Sequence, residues 1–155
     1  MTIHLVRHGS AGHRTAVDDG DDLLRPLDER GRAQAEALVE FFTEVDLRAI
    51  WSSTATRCLQ TVAPLAAARH LVVDERGELT EGARSMLLLD MLRQEILRDG
   101  DIVMCSHGDL IPDVVNRLLR EGMRVIGGRG CAKGSVWSLE ARGRDIVRGI
   151  YSAAP

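Results

Sequence analysis

Residues Ile3-His4-Leu5-Val6-Arg7-His8-Gly9-Ser10 decide how this chain is read. An apolar run, Ile3 to Val6, delivers an arginine and a histidine into a glycine turn. A strand that presents a cation and an imidazole at the mouth of a loop suits an anionic ligand. The pattern returns at Ile102-Val103-Met104-Cys105, which runs into Ser106-His107-Gly108-Asp109. Between the two, a short apolar stretch at Ile50 and Trp51 leads into Ser52-Ser53-Thr54-Ala55-Thr56-Arg57-Cys58. The chain is therefore expected to be a scaffold that brings these strand ends together.

Working outward, Thr2 to Val6 reads as a buried strand, and Leu47 to Ser52, Leu71 to Val73 and Asp101 to Cys105 read as further strands. Helical spacing predicts a helix from about Glu29 to Thr43, capped by Asp28, with Leu38, Phe41, Phe42 and Val45 as its buried stripe. Gly31 in its first turn lowers its helix propensity. A second helix is predicted from about Thr56 to Ala67, with Leu59, Val62, Ala63 and Ala66 inward and Pro64 inside it. Met86 to Leu97 reads as a third, with Leu87 to Leu89, Leu92 and Ile96 in the core, and Leu110 to Leu119 as a fourth. Residues 10 to 25, with the acidic run Asp18 to Asp22, read as a solvated loop, and residues 121 to 134 as a Gly-rich one. Ser135 to Glu140 and Ile146 to Tyr151 read as an antiparallel hairpin. Strands alternating with helices predict an α/β fold: a three-layer sandwich, with a mostly parallel sheet, helices on both faces and an antiparallel edge. Ligands bind such sheets beyond the carboxyl ends of the strands, where Arg7, His8, Arg57 and His107 all fall.

The length, 155 residues, is that of a single domain spanning 1–155. Aromatic residues are only 3% of the chain, so Ala, Leu and Val must do the packing. A net charge of −3 with both signs interspersed argues against a nucleic-acid or membrane surface, which needs a dense basic face. The 3 cysteines, Cys58, Cys105 and Cys131, fit neither zinc nor thioredoxin-like spacing and read as reduced thiols of a cytoplasmic protein. The N-terminus lacks the charge and apolar core of a signal peptide, and no apolar run approaches the ~18 residues of a membrane span.

Phosphate fits the residue set. Arginine offers a planar fork that pairs two phosphate oxygens at once. Gly9 and Gly108 permit close approach of backbone to a ligand. Two histidines in a phosphate pocket suggest phosphoryl transfer through an imidazole nucleophile. Arg14 and Arg25 are within reach of a second phosphate group, or else are solvated loop charges. His4 and His13 could join His8 around a metal, but no spacing supports it, and neither a metal nor another cofactor is expected. Asp109 is expected to cap a helix.

At this point the chain resembles a known family. Leu5-Val6-Arg7-His8-Gly9 resembles the signature of the histidine phosphatase, or phosphoglycerate-mutase-like, superfamily. Ser52-Ser53 with Arg57, Gln60 and Thr61 resembles its second motif, Leu79-Thr80-Glu81 its Leu-x-Glu motif, and Ser106-His107-Gly108 its third. The short length, with Arg25-Pro26-Leu27 and Gly31, is most similar to the small SixA-like phosphohistidine phosphatases and to a phosphatase-like domain fused to some bacterial Nudix hydrolases. The resemblance implies that His8 is a nucleophile that becomes phosphorylated. It implies that Arg7, Arg57 and His107 bind the phosphoryl oxygens, that Glu81 protonates the leaving group, and that Gly9 and Ser10 lie in the phosphate loop. No metal is implied, because protein cations neutralise the charge that Mg²⁺ handles elsewhere.

The attacking imidazole must be neutral, and Arg7 and Arg57 are expected to keep it so, while His107, where it faces phosphate, profits from being cationic. Glu81 bears on the substrate. Phosphohistidine leaves as an easily protonated imidazole, whereas an alkoxide needs a general acid. Glu81, with Glu78 as competitor, thus tilts the expectation towards a phosphomonoester or nucleotide-like phosphate, with a phosphohistidine protein as the other partner class. Short segments between the motifs imply an open pocket. The alternatives are a phosphomutase of the same superfamily and a silent phosphate-binding or protein-interaction module.

Overall fold

The computed structural model describes residues 1–13 and 19–154, with the side chains of residues 19–21 excepted. Strands β1 (Thr2–Arg7), β2 (Leu47–Ser52), β3 (Val73–Glu75), β4 (Asp101–Ser106), β5 (Arg124–Ile126), β6 (Val136–Arg142) and β7 (Asp145–Ser152) alternate with helices α1 (Asp19–Leu24), α2 (Glu29–Phe41), α3 (Thr56–Arg69), α4 (Ser85–Glu95) and α5 (Leu110–Arg120). They form a 7-stranded sheet in the order β3-β2-β4-β1-β6-β7-β5. The first four of these run parallel, β6 pairs antiparallel with both β1 and β7, and β5 runs parallel to β7.

The pleat of β1 sorts its residues between two cores. Ile3 and Leu5 join Ile102 and Met104 against Leu88, Leu89 and Leu92 of α4 and Ile111 and Val114 of α5. Val6 faces the other way, with Ile50, Val103 and Cys105, against Leu38 and Phe42 from the α2 end and Cys58, Val62 and Leu65 of α3. Helices therefore cover both faces, as expected. Each fully buried Leu or Ile contributes about 1.5–3 kcal/mol relative to exposure.

Several sequence expectations are corrected. The buried face of α2 starts a turn earlier than predicted, on Gly31, Gln34, Ala35 and Leu38, and Phe41 is 37% exposed. Asp28 does cap this helix, accepting from the Gly31 N–H. The stripe of α3 turns so that Arg57 can face inward; Cys58, Thr61 and Leu65 are buried with Val62 and Ala66, whereas Ala63 is exposed and Leu59 half-buried. Leu87 is 42% exposed, not core. Strand β3 starts later than predicted because the helix exit uses Leu71: His70 is left-handed (φ 54°), and Leu71 N–H reaches back to the Ala66 carbonyl. The stretches read as loops contain α1 and β5. Trp51 and Trp137 pack in the core as expected. Among the described residues no helix is long and apolar enough to cross a membrane.

Gly31 has a tertiary reason. A Cβ there would lie 1.9 Å from the Ser10 carbonyl oxygen, so the loop after β1 rests directly on this helix. Helix propensity alone would make Gly31→Ala stabilising by about 1 kcal/mol. The expected result is the opposite, a loss of about 3 kcal/mol in urea unfolding, because two backbone segments must separate. A stabilised variant would mean that the contact is not as close as described.

Candidate active site

Register brings the strand ends level. Arg7 lies opposite Ser106, and Ser52 opposite Cys105. The next residues are tied in the same way: His8 N–H donates to the Ser106 carbonyl (3.0 Å), and Ser53 N–H to that of Cys105 (3.0 Å). Consequently the rings of His8 and His107 lie edge to face, with centroids 5.3 Å apart. Arg57, in the first turn of α3, reaches the same point. Its Nη2 donates to Glu81 Oε2 (2.9 Å) and lies 3.4 Å from His107 Nδ1, and its Nη1 donates to the Asp22 carbonyl (2.7 Å). Arg57 and Glu81, His107 and Asp109, and Asp22 and Thr80 are among the residues lining one cavity of about 420 Å³.

His8 is 5% exposed, and its Nδ1 lies 2.8 Å from the Gly9 carbonyl. A carbonyl only accepts, so Nδ1 carries the proton, and Nε2 keeps its lone pair with no partner among the described residues. The pKa of His8 falls from 6.5 to about 3, through burial first, with smaller contributions from His107, Arg57 and Arg7 against the opposing bond to Gly9. The expectation that the arginines keep this ring neutral is thus amended: desolvation has the larger effect. With Arg57 donating to Nδ1 of His107, the ring proton sits on Nε2, 2.8 Å from Ser53 Oγ.

Arg7 donates from Nη1 to the Cys131 carbonyl. Its guanidinium fills the space that a side chain at Gly108 would need, since a Cβ there would lie 2.6 Å from Arg7 Cζ. The glycine was expected to admit a ligand; it admits Arg7. The Nε atoms of Arg7 and Arg57 are buried without a partner among the described residues. An unpaired buried N–H costs about 1–3 kcal/mol. Under the phosphatase activity that the family resemblance implies, Gly108→Ala is expected to displace the flexible end of Arg7 and lower kcat/KM about 100-fold with little change in melting temperature. Unaltered kinetics would separate Arg7 from the site.

The remaining expected site residues fare differently. The N–H of Gly9 donates to Thr61 Oγ1 (2.9 Å), that of Ser10 to Gln34 Oε1 (2.9 Å), and Ser10 Oγ to Asp28 Oδ2 (2.6 Å). Gly9 and Ser10 therefore shape the loop and offer none of these groups to a ligand. Asp28, which also accepts from Gly31 and Gly12, is held at a pKa of about 2, first by the Ser10 bond and then by the Gly31 N–H. Arg25 donates to Asp22 Oδ1 (2.8 Å) and the Ala11 carbonyl (2.7 Å), bracing α1 instead of standing as a loop charge. Arg14 lies outside the described residues. Glu81, 40% exposed at its side chain, lines the cavity; Glu78 does not. His4 lies away from the site, 2.9 Å from Ser138 Oγ and 3.7 Å from Asp101 Oδ2.

Sequence reasoning missed some contributors. Asp109 occupies the N-cap position of α5, but its carboxylate accepts from Gly82 N–H (2.8 Å) and so holds the turn that carries Glu81. Asp22 belongs to a run read as solvated, yet its carboxylate lies 3.4 Å from Arg57. Cys58 Sγ lies 3.5 Å from His107 Nε2. Burial pushes the Cys58 thiol up, but hydrogen bonds with Cys105 and His107 and the Arg57 charge outweigh it and hold the thiol below its usual range. No signal in the sequence connects these residues to the site, since each acts on a partner far along the chain. Among the described residues no cluster of three or more His, Cys, Asp or Glu side chains could hold a metal ion.

Comparison with known proteins adds to this geometry. The family model for the histidine phosphatase superfamily (branch 1) matches residues 3–86. The chain is 35% identical over 163 aligned residues to an 8-oxo-(d)GTP phosphatase of Mycolicibacterium smegmatis, covering 99% of this chain and 48% of that protein. It is 33% identical over 81 residues to an uncharacterised protein of Mycobacterium tuberculosis, covering 52% of this chain and 40% of that one. The chain thus spans about half the length, or less, of these curated relatives. Among solved structures, the protein histidine phosphatase SixA complexed with tungstate superposes with a TM-score of 0.76 at 19% identity, over 99% of this chain and 95% of that one. A mycobacterial glucosyl-3-phosphoglycerate phosphatase gives 0.68 at 21%, over 98% and 97%. At these identities the two structures establish a shared fold.

Proposed function

Since the chain belongs to the histidine phosphatase superfamily, we propose that it is a metal-independent phosphatase that works through a phosphohistidine on His8. The observation that carries this reading is the neutral His8 ring with an unengaged Nε2, its centroid 5.3 Å from that of the His107 ring, near enough to Arg7 and the buried Arg57 for both charges to act on it. The Nε2 lone pair attacks phosphorus while the bond to the leaving oxygen breaks. That oxygen takes its electron pair and a proton from Glu81. Arg7, Arg57 and His107 hold the three phosphoryl oxygens and stabilise the charge that spreads over them. Glu81, now a carboxylate, takes a proton from water; the resulting hydroxide attacks phosphorus, the P–N bond breaks, and His8 regains its lone pair.

The substrate class is an oxygen-linked phosphate, a phosphomonoester or the phosphate of a nucleotide. Glu81 supports this, because it lies on the same guanidinium that meets the phosphoryl group, where a leaving oxygen would need its proton. An incoming phosphoryl oxygen competes for Arg57 Nη2; the Glu81 carboxylate so released takes a proton from solvent and then carries it to the leaving oxygen. The name of the mycobacterial relative, an 8-oxo-(d)GTP phosphatase, agrees with a nucleotide.

A phosphate-release panel of nucleotides, sugar phosphates and a phosphohistidine protein, run with wild type and Glu81→Gln, tests both points. Glu81→Gln is expected to lose about 10²–10³-fold on oxygen esters and under about tenfold on phosphohistidine. Equal losses on both would make Glu81 a holder of Arg57 instead of an acid. No release from any substrate would remove the phosphatase reading.

A further inference from the structure

We infer that Ser53 is a positioning residue for this reaction: its hydroxyl grips His107 at Nε2 so that Nδ1 is the ring atom turned to the phosphoryl group. The inference rests on the phosphatase reading for what Nδ1 meets, but on geometry alone for how the ring is held.

Ser53 Oγ lies 2.8 Å from His107 Nε2, and Cys58 Sγ approaches the same nitrogen at 3.5 Å. That edge of the imidazole is therefore enclosed by protein. The opposite edge carries Nδ1, 3.4 Å from the Arg57 guanidinium that also bonds Glu81. Ser53 is itself immobilised from several directions. Its N–H donates to the Cys105 carbonyl (3.0 Å), its carbonyl accepts from Ser52 Oγ (2.8 Å), and its Oγ accepts from Ala55 N–H (3.3 Å). Ser52 and Ser53 are fully buried, and His107 is 1% exposed. The hydroxyl is thus a fixed point against which the ring is set, which is how a supporting residue keeps a reacting group in its productive geometry.

A hydroxyl suits this place because it both donates and accepts. In the structure Arg57 donates to Nδ1, so Nε2 carries the proton and Ser53 Oγ accepts it. When a phosphoryl oxygen takes the place of that Arg57 N–H, Nδ1 must carry a proton to meet it. Ser53 then either turns its own O–H to Nε2, for a neutral ring, or goes on accepting, for a cationic one. Neither state loses the bond at Nε2. A carboxylate in the same place could only accept, and an alanine would leave Nε2 unpaired and the ring free to turn over.

The experiment compares wild type with Ser53→Ala and with Ser52→Ala, which deletes a neighbouring buried hydroxyl that bonds backbone and not the ring. Steady-state kinetics on the best phosphate ester are read alongside the ¹⁵N signals of the labelled histidine rings with vanadate bound. Ser53→Ala is expected to lower kcat about 10–100-fold, the usual effect of removing a partner that orients a reacting imidazole, with KM within about threefold. The His107 signals should lose the single ring state of the wild type in Ser53→Ala and keep it in Ser52→Ala. A wild-type kcat in Ser53→Ala, or losses equal to those of Ser52→Ala with unchanged His107 signals, would overturn the inference. Ring signals that depend on Ser53 in a protein that turns over no phosphate ester would support the positioning and remove the phosphatase reading.

Discussion

His8→Asn is expected to abolish phosphate release, by about 10⁴-fold or more, while leaving a folded protein. If His8 carries the phosphoryl group as proposed, removing it takes away the reaction path itself, so the loss is of the size seen when a catalytic nucleophile is deleted elsewhere. With the wild type, a rapid quench in alkali should yield a phosphorylated peptide containing His8, labile to acid. The same residue gives the variant a signature in stability. His8 titrates near 3 in the fold against 6.5 when exposed. As pH falls below 6.5 the unfolded chain takes the proton first, so the stability present above pH 6.5 is lost progressively down to about pH 3. The slope reaches about 1.4 kcal/mol per pH unit, several kcal/mol over the window. His8→Asn should therefore lose less stability than wild type between pH 7 and pH 4.5 in urea unfolding. Depressed carboxylates such as Asp28 also weaken the fold in acid, through a lower window between 3.8 and about 2, and do so in both proteins. A variant that still releases phosphate would end the assignment of His8, and one with the wild-type acid slope would end the account of its burial.

Arg57→Ala should have the second largest effect, roughly 10³-fold on kcat/KM, with weaker binding of vanadate. Arg57 is 2% exposed and joins His107, Glu81 and Asp22 through one planar group. A preorganised cation at the developing charge is worth about 3–4 kcal/mol in the transition state. Arg57→Lys should recover less than about a tenth of the loss, because a compact ammonium cannot reach Asp22 and Glu81 at once. Breaking a buried ion pair costs about 3–5 kcal/mol, but Glu81 is 40% exposed and can be rehydrated, so the cost in unfolding should be nearer 2 kcal/mol. A lysine variant with wild-type turnover would show that charge alone matters here, not the fork.

The strand ends were legible because each carries its message in contiguous residues. Ile3 to Val6 announces a buried strand, and Arg7-His8-Gly9 announces what it delivers. The same holds for Met104 to Gly108. Glu81 was found as part of Leu79-Thr80-Glu81, and the structure sets it on Arg57. The phase of α3 was misread because apolar pattern alone favoured Leu59 and Ala63. The helix instead turns the polar set Arg57 and Thr61 inward, where Thr61 accepts from Gly9 N–H. Gly31 was read as a cost to its helix, whereas contact with the Ser10 carbonyl requires it. Both misreadings have one origin: the loop after β1 must be held from α2 and α3, and neither helix advertises that in its own periodicity.

The sequence by itself determined the alternating α/β plan and the chemical inventory, an imidazole or guanidinium at each of several strand ends, because backbone periodicity and side-chain type are local properties. Only the tertiary structure decided which atoms are available. Ser53 and His107, which share a ring proton, stand 54 positions apart, and Arg7 and the Cys131 carbonyl 124 apart. Desolvation, tautomer and hydrogen-bond occupancy depend on neighbours in space, and chain order does not record those.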